Sequence, residues 1–212
     1  MTLTIYHAPR SRSVRVVWLC EEAGIPYEAE TFPVRGAYMA SDDFGAVNPN
    51  RKVPAIKDDG IVLFESVAIM EYLLAKHGPK AKDGSDLAPD PSDSKAYGPY
   101  LQWLHYGEAG MGNYVTMALA HRALLPEAHR SEAMAAWGTA ETKKTLDVLA
   151  GPLGAHDYLL PSGFSAADIS VVYMLLLAKF AGLSKDFPEP VSAYFDRCTA
   201  RAGWQAASAL GA

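Results

Sequence analysis

Two short stretches of this chain bring together residue types that can hold a charged, peptide-like ligand. One is Lys52-Val53-Pro54, at the start of an apolar run. Pro54 has no N–H and suits only a strand start or a sheet edge, and an X-Pro bond can be cis. The backbone of Val53, turned out of a ladder there, is left to pair with an extended ligand, as in strand addition. The other is Glu65-Ser66, at the head of a segment with helical periodicity. Ser66 and the first N–H groups of that helix form a site for an anion, and the Glu65 carboxylate beside them can take an ammonium group. Taken alone, the same serine also reads as a plain helix cap. What raises the segment above a common strand-turn-strand-helix is the context in which it lies.

That context is a sequence of alternating elements. Residues 2–7 alternate apolar and polar as a strand does, ending near Tyr6. From Ser11 the spacing becomes helical through Val14, Val17, Trp18 and Cys20, and Gly24 stops it. Tyr27 to Phe32 reads as a second strand, giving a β-α-β unit with a right-handed crossover. Residues 36–49 read as a loop with a short helix. Asp59-Gly60 between two apolar runs is a hairpin signal, since glycine accepts the positive φ that the turn needs. A helix from Ser66 to His77 follows, with Ile69, Met70, Leu73 and Leu74 on one face. The order β-α-β-(α)-β-β-α is that of a thioredoxin-like domain, placed over residues 1–79. Residues 80–91, rich in Gly, Pro, Ser, Asp and Lys, read as a linker.

Residues 92–212 carry helix patterns over Ser94–His121, Glu127–Leu149, Ala166–Ala181 and Val191–Ala200, and are expected to form an all-α domain. Ser165 and Asp168 make a capping box. The helix behind them has only Ser170 and Lys179 polar, so it is expected to be buried on all sides. Gly107, Gly110 and Gly112 fall inside a helical stretch, where each weakens the helix by about 1 kcal/mol relative to alanine. A kink or a close backbone approach would account for them. Trp103, His105, Tyr106, Met111, Tyr114 and Met117 are candidates either for a second-substrate pocket between the domains or for core.

Composition narrows the class. The chain has 212 residues with a formal net charge of −5, and no basic stripe of the kind that binds nucleic acid. No signal-peptide pattern opens it, and its most apolar run, Ile169 to Ala178, is too short to span a bilayer. No membrane contact and a cytoplasmic location are therefore expected. Cys20 and Cys198 are its two cysteines; they exclude a disulfide framework or a CxxC motif, and both fall on apolar helical faces, which reads them as inert core. Nothing in the sequence calls for a metal or a bound cofactor.

The layout, with Val53-Pro54, Glu65-Ser66 and the Ser165/Asp168 box at these relative positions, resembles the cytosolic glutathione transferase superfamily over essentially the whole chain. Pro9 to Glu28 is similar to the first helix of a bacterial or fungal branch, and Asn48-Pro-Asn-Arg-Lys-Val-Pro54 adds to the match. The resemblance implies an α/β thioredoxin-like N-terminal domain and an all-α C-terminal domain, with glutathione as co-substrate. It assigns Val53 to backbone pairing with the cysteinyl unit, a cis Pro54 to holding that backbone, Glu65 and Ser66 to the γ-glutamyl ammonium and carboxylate, and Lys52 to the glycyl carboxylate. Arg51, where many relatives have glycine, can share the last role.

The implied chemistry needs one hydroxyl donor. A thiol of pKa about 8.5 is mostly protonated at neutral pH, while the thiolate is the nucleophile; a donor at the positive end of a helix favours the thiolate. The resemblance puts this donor in the loop after the first strand. Ser11 is the leading candidate, with Ser13, Tyr6, or an arginine or backbone N–H as alternatives. The implied function is conjugation of glutathione to a small hydrophobic electrophile by a homodimer. Glutathione-dependent peroxide or disulfide reduction, and a non-catalytic binding module, are the competing readings.

Overall fold

The computed structural model describes residues 2–33 and 36–211. The chain forms two compact units, Met1–Ala88 together with Ala200–Ala212, and Pro89–Thr199.

In the first unit, β1 (Leu3–His7), α1 (Ser13–Ala23) and β2 (Tyr27–Thr31) form the β-α-β unit, with β1 and β2 parallel. Gly24 ends α1 in the left-handed region at φ 69°, the conformation a side chain would resist. Two short helices, α2 (Ala37–Ala40) and α3 (Asp42–Val47), occupy the stretch read as a loop with a short helix. The hairpin β3 (Ala55–Asp58) and β4 (Ile61–Phe64) turns at Asp59 and Gly60, with φ of 47° and 84°. Both values are positive, the pattern of the two-residue turn that matches strand twist. The sheet order is β2-β1-β3-β4, with β3 antiparallel to both neighbours. Helix α4 (Ser66–His77) follows β4 directly. Ile5, Trp18, Leu19, Ile56, Ile69, Met70 and Leu73 are fully buried, with Val14 nearly so, and form the core that fixes α1 and α4 to the sheet.

Both ends of this unit depart from the expected boundaries. Residues 80–88, read as linker, belong to the first unit. Their few apolar side chains decide this: Leu87 is wholly buried and Ala81 nearly so, while Lys82 N–H donates to the Glu22 carbonyl at 2.8 Å. The chain also returns to the first unit at its C-terminus, where α10 (Ala202–Ala209) packs on α1. Trp204 meets Trp18 edge to face at 4.9 Å, and Arg201 forms a bidentate pair with the buried Glu22 at 2.9 and 2.7 Å.

The second unit is helical: α5 (Ser94–His105), α6 (Asn113–Leu119), α7 (Glu132–Leu153), α8 (Ala166–Phe180) and α9 (Glu189–Thr199). Between α5 and α6 the backbone widens to a π-helical turn, Tyr106–Gly112. Close packing on α8 explains its first glycine, since a Cβ on Gly107 would sit 2.4 Å from Ser170 Oγ and 2.7 Å from the Ser170 carbonyl oxygen. A Cβ on Gly110 would meet the Tyr106 ring at 2.4 Å. Helix α8 is buried on nearly every face, as its composition demands. Its capping box forms, with Ser165 N–H donating to Asp168 Oδ2 at 2.8 Å. Asp168 also accepts from Leu159 N–H at 3.1 Å and Tyr194 O–H at 2.9 Å. Of the aromatic and methionine set, Met111 and Trp103 are core, His105 is exposed, and Tyr106, Tyr114 and Met117 are half-buried within this unit. No helix among the described residues is long and apolar enough to cross a membrane.

Candidate functional site

The candidate ligand edge is built by the segments on either side of β3 and β4. The Val53-Pro54 peptide bond is cis, and β3 begins only at Ala55, so Val53 lies ahead of the ladder. The loop leading to it is organised by Asn48, which is buried. Its Nδ2 donates to the Lys52 carbonyl at 2.6 Å, and its side-chain oxygen accepts from Asn50 N–H at 3.0 Å. The Lys52 side chain is exposed. Arg51, in contrast, is committed to the loop: it donates to the Ala40 carbonyl, to the Ser41 carbonyl at 2.7 Å and to Asp42 Oδ1 at 2.8 Å. Its φ of 52° is a left-handed value, which accounts for glycine being suited to this position. The glycyl-carboxylate role considered for Arg51 is thereby set aside, because its donors hold the junction of α2 and α3.

At the other end of the edge, Glu65 stands before α4 with φ 78° and ψ 110°, an unfavourable conformation for any residue with a side chain. The Glu65 side chain, at the N-cap position, makes no capping hydrogen bond to the leading N–H groups of α4. The Glu65 carboxylate is exposed, whereas Ser66 is buried. Ser66 Oγ accepts from Arg15 Nη1 at 3.2 Å. Arg15 itself is fully buried on α1. A fixed guanidinium behind a serine hydroxyl, at the positive end of a helix, makes a strong place for a carboxylate. Sequence reasoning missed Arg15; the signal was an arginine standing inside the apolar run of α1.

The three hydroxyl candidates fall in different environments. Tyr6 is 2% exposed and packs with Phe44, Val53 and Ala55 in the core. Its ring lies 5.5 Å from Lys57 Nζ, and its hydroxyl holds the Lys57 ammonium above the usual lysine range. Ser13 is fully buried at the first position of α1. Its Oγ is 2.9 Å from His7 Nδ1, and it accepts from Ala8 N–H at 3.1 Å. Ser11 is half-exposed, with Oγ 2.8 Å from the Ala8 carbonyl and 2.7 Å from Ser13 Oγ. It is not the cap of α1, a position taken by Arg12. Among these three, only Ser11 combines access to solvent with a place at the helix start. Arg10, beside it, has φ 61°, so the loop carrying Ser11 also holds a left-handed residue.

His7 was also missed. It is fully buried, and burial lowers its pKa, an effect partly offset by a hydrogen bond at 3.2 Å between Nε2 and the Leu210 carbonyl. The thiols sit apart from this chemistry. Cys20 and Cys198 are buried, and burial pushes the Cys20 thiol up to about 12.

The comparisons with known proteins agree with this arrangement. Residues 11–76 match the family profile "Glutathione S-transferase, N-terminal domain", and residues 113–202 match "Glutathione S-transferase, C-terminal domain". Glutathione S-transferase theta-1 of Bos taurus is 31% identical over 190 residues, covering 86% of this chain and 75% of that protein. Glutathione S-transferase 3 of Schizosaccharomyces pombe is 27% identical over 193 residues, covering 86% and 77%. Among solved structures, a glutathione transferase family member from Pseudomonas fluorescens with two glutathione bound has a TM-score of 0.86 at 26% identity, covering 98% of this chain and 92% of that one. A glutathione transferase from Burkholderia graminis, with two glutathione molecules per subunit, has a TM-score of 0.85 at 26% identity, covering 98% and 87%.

Proposed function

The chain belongs to the cytosolic glutathione S-transferase superfamily and is a glutathione transferase, and from that premise we propose that it adds the glutathione thiolate to small hydrophobic electrophiles. The observation that carries this reading is the start of α4. An exposed Glu65 carboxylate in a strained backbone conformation stands beside helix N–H groups that it does not cap, and beside a Ser66 hydroxyl backed by Arg15. Strain of this kind persists where the surroundings enforce it, and it clusters at ligand clamps. The pair fits the ammonium and carboxylate of a γ-glutamyl group. Val53 pairs with the cysteinyl backbone, Pro54 holds that segment, and the exposed Lys52 meets the glycyl carboxylate.

In this reading Ser11 donates its hydroxyl to the sulfur. Glutathione serves as co-substrate. The active species is a cytoplasmic homodimer of two-fold symmetry, the commonest oligomer, which sedimentation would test. Retention on immobilised glutathione and turnover of a chloronitrobenzene test the function directly; a protein that fails to bind glutathione would refute it. The Ser11→Ala variant is expected to lose about a hundredfold to a thousandfold in kcat/KM with glutathione affinity nearly unchanged, in line with the loss of one positioned donor.

A second reading rests on the neighbours from Pseudomonas fluorescens and Burkholderia graminis, each with two glutathione molecules bound. Two glutathiones on one protein suit reduction of a small disulfide, in which two glutathiones become glutathione disulfide and the substrate leaves as two thiols. Both cysteines of this chain are buried, so both electrons would come from glutathione. Comparing rates on a small disulfide, a hydroperoxide and the chloronitrobenzene separates the two readings.

A further inference from the structure

We propose that Ser11, Ser13 and His7 form a proton relay that carries the glutathione thiol proton inward to His7 Nδ1. This rests on the reading of Ser11 as the group facing the sulfur. The direction of the relay is fixed at its buried end. The Leu210 carbonyl, 3.2 Å from His7 Nε2, can only accept, so Nε2 carries the ring proton and Nδ1 of the neutral imidazole is an acceptor. Ser13 Oγ lies 2.9 Å from Nδ1 and 3.2 Å from the Ala8 carbonyl, and its single proton goes to Nδ1, the nearer of the two acceptors. The lone pairs of Ser13 are left to Ala8 N–H at 3.1 Å and to the Ser11 hydroxyl at 2.7 Å. Ser13 and His7 are both fully buried, which keeps solvent from replacing a link. His7 meets Ser13 from the start of α1 and the Leu210 carbonyl from the segment after α10, and neither group carries a charge.

The contact at 2.7 Å between the two serine oxygens needs one proton between them. At rest that proton is supplied by Ser11, turned to Ser13 Oγ at 2.7 Å rather than to the Ala8 carbonyl at 2.8 Å. When Ser11 donates outward to a thiolate, it must come from Ser13, and Ser13 can turn from His7 only if Nδ1 holds a proton of its own. Both conditions are met by one shift of three protons. The S–H bond breaks as Ser11 Oγ takes the thiol proton, Ser11 passes its own proton to Ser13, and Ser13 passes its own to Nδ1. The products are a thiolate that accepts from Ser11, and an imidazolium that donates to Ser13 and to Leu210. No proton leaves for solvent, and the new charges form a pair of opposite sign.

The test uses the ultraviolet absorbance of the bound thiolate, titrated against pH, and calorimetry of glutathione binding in buffers of different ionisation enthalpy. His7→Gln keeps a donor and an acceptor but is not a base, and Ser13→Ala cuts the relay at its middle. Both variants are expected to bind glutathione within about threefold of wild type, while the bound thiol pKa rises by about one unit, the effect of removing a nearby opposite charge. Binding at neutral pH should release almost no proton from the wild type, and any thiolate formed in either variant should release its proton to buffer. Should His7→Gln and Ser13→Ala titrate like wild type while Ser11→Ala is shifted, the relay is wrong and the role of Ser11 stands. Should Ser11→Ala also be unshifted, the donor assignment itself fails. If His7→Gln does not fold, Ser13→Ala decides alone.

Discussion

Glu65 shows how one residue can announce a site through its backbone. A glutamate at φ 78° gives up about 1–3 kcal/mol of conformational energy, and its side chain does not cap the helix it precedes. That cost has a purpose if the exposed carboxylate receives an ammonium. Glu65→Gln is therefore expected to weaken glutathione binding by at least about tenfold, the value of a charged hydrogen bond, with melting temperature little changed. Fluorescence or calorimetric titration measures it. His7 makes a second prediction at this scale. Its native pKa is lowered from 6.5 by burial, so the unfolded chain binds the proton more tightly than the native state. Stability is full above pH 6.5 and is lost as pH falls from 6.5 towards the depressed native value. Wild type should lose melting temperature on going from pH 7.5 to 5.5, and His7→Gln should lose less. An equal loss in both would remove His7 from the account.

Helix starts carry the next level of argument. Helix α8 begins with a carboxylate that accepts from Ser165 N–H, Ser165 O–H, Leu159 N–H and Tyr194 O–H. Complete burial nevertheless raises the Asp168 pKa to about 6, against those hydrogen bonds. The native state thus keeps this proton over a range in which the unfolded chain has released it, and the associated stability declines as pH rises from about 4 through about 6. Asp168→Asn lacks that dependence and leaves some of the donors without an acceptor. It should destabilise by about 1–3 kcal/mol, with the larger cost at pH 5 and the smaller at pH 7.5, read from urea unfolding at the two pH values. Much of this level was legible beforehand. The Ser165/Asp168 spacing, the all-apolar α8 and the Asp59-Gly60 turn are local patterns, set by side-chain size, capping and φ within a few residues. The glycines of 107–112 were visible as an anomaly, but the reason for Gly107, a backbone approach to Ser170, lies 63 positions away in the chain.

For the chain as a whole, the C-terminal segment is what ties the first unit together. Glu22 is 8% exposed and accepts from Trp18 Nε1 at 2.9 Å as well as from Arg201. Glu22→Ala would remove the bidentate acceptor of Arg201, leaving its 3.7 Å pairing with Asp83, and the acceptor of the Trp18 indole N–H. A loss of about 3 kcal/mol is expected, as for a buried pair broken on one side, with the tail becoming open to proteolysis. Limited proteolysis and chemical denaturation check both parts. The same closure sets the chemistry, because Leu210 fixes the tautomer of His7. Residues 80–88 follow the same logic, with two buried apolar side chains outweighing a linker-like composition.

The sequence by itself determined the order of elements, the hairpin, the cis-prone Val53-Pro54 and the Glu65-Ser66 pair, and with them the superfamily. These features depend on neighbours within one turn or one strand, so their physics is written locally. Only the tertiary structure decided which hydroxyl is available. It buries Tyr6 in one packed layer, encloses Ser13 against His7, and leaves Ser11 at the surface. Only it brings Arg15 to Ser66 and Leu210 to His7, across 51 and 203 positions of chain. A hydrogen bond reaches about 3 Å and is indifferent to distance along the chain, so no spacing in the sequence records these partners.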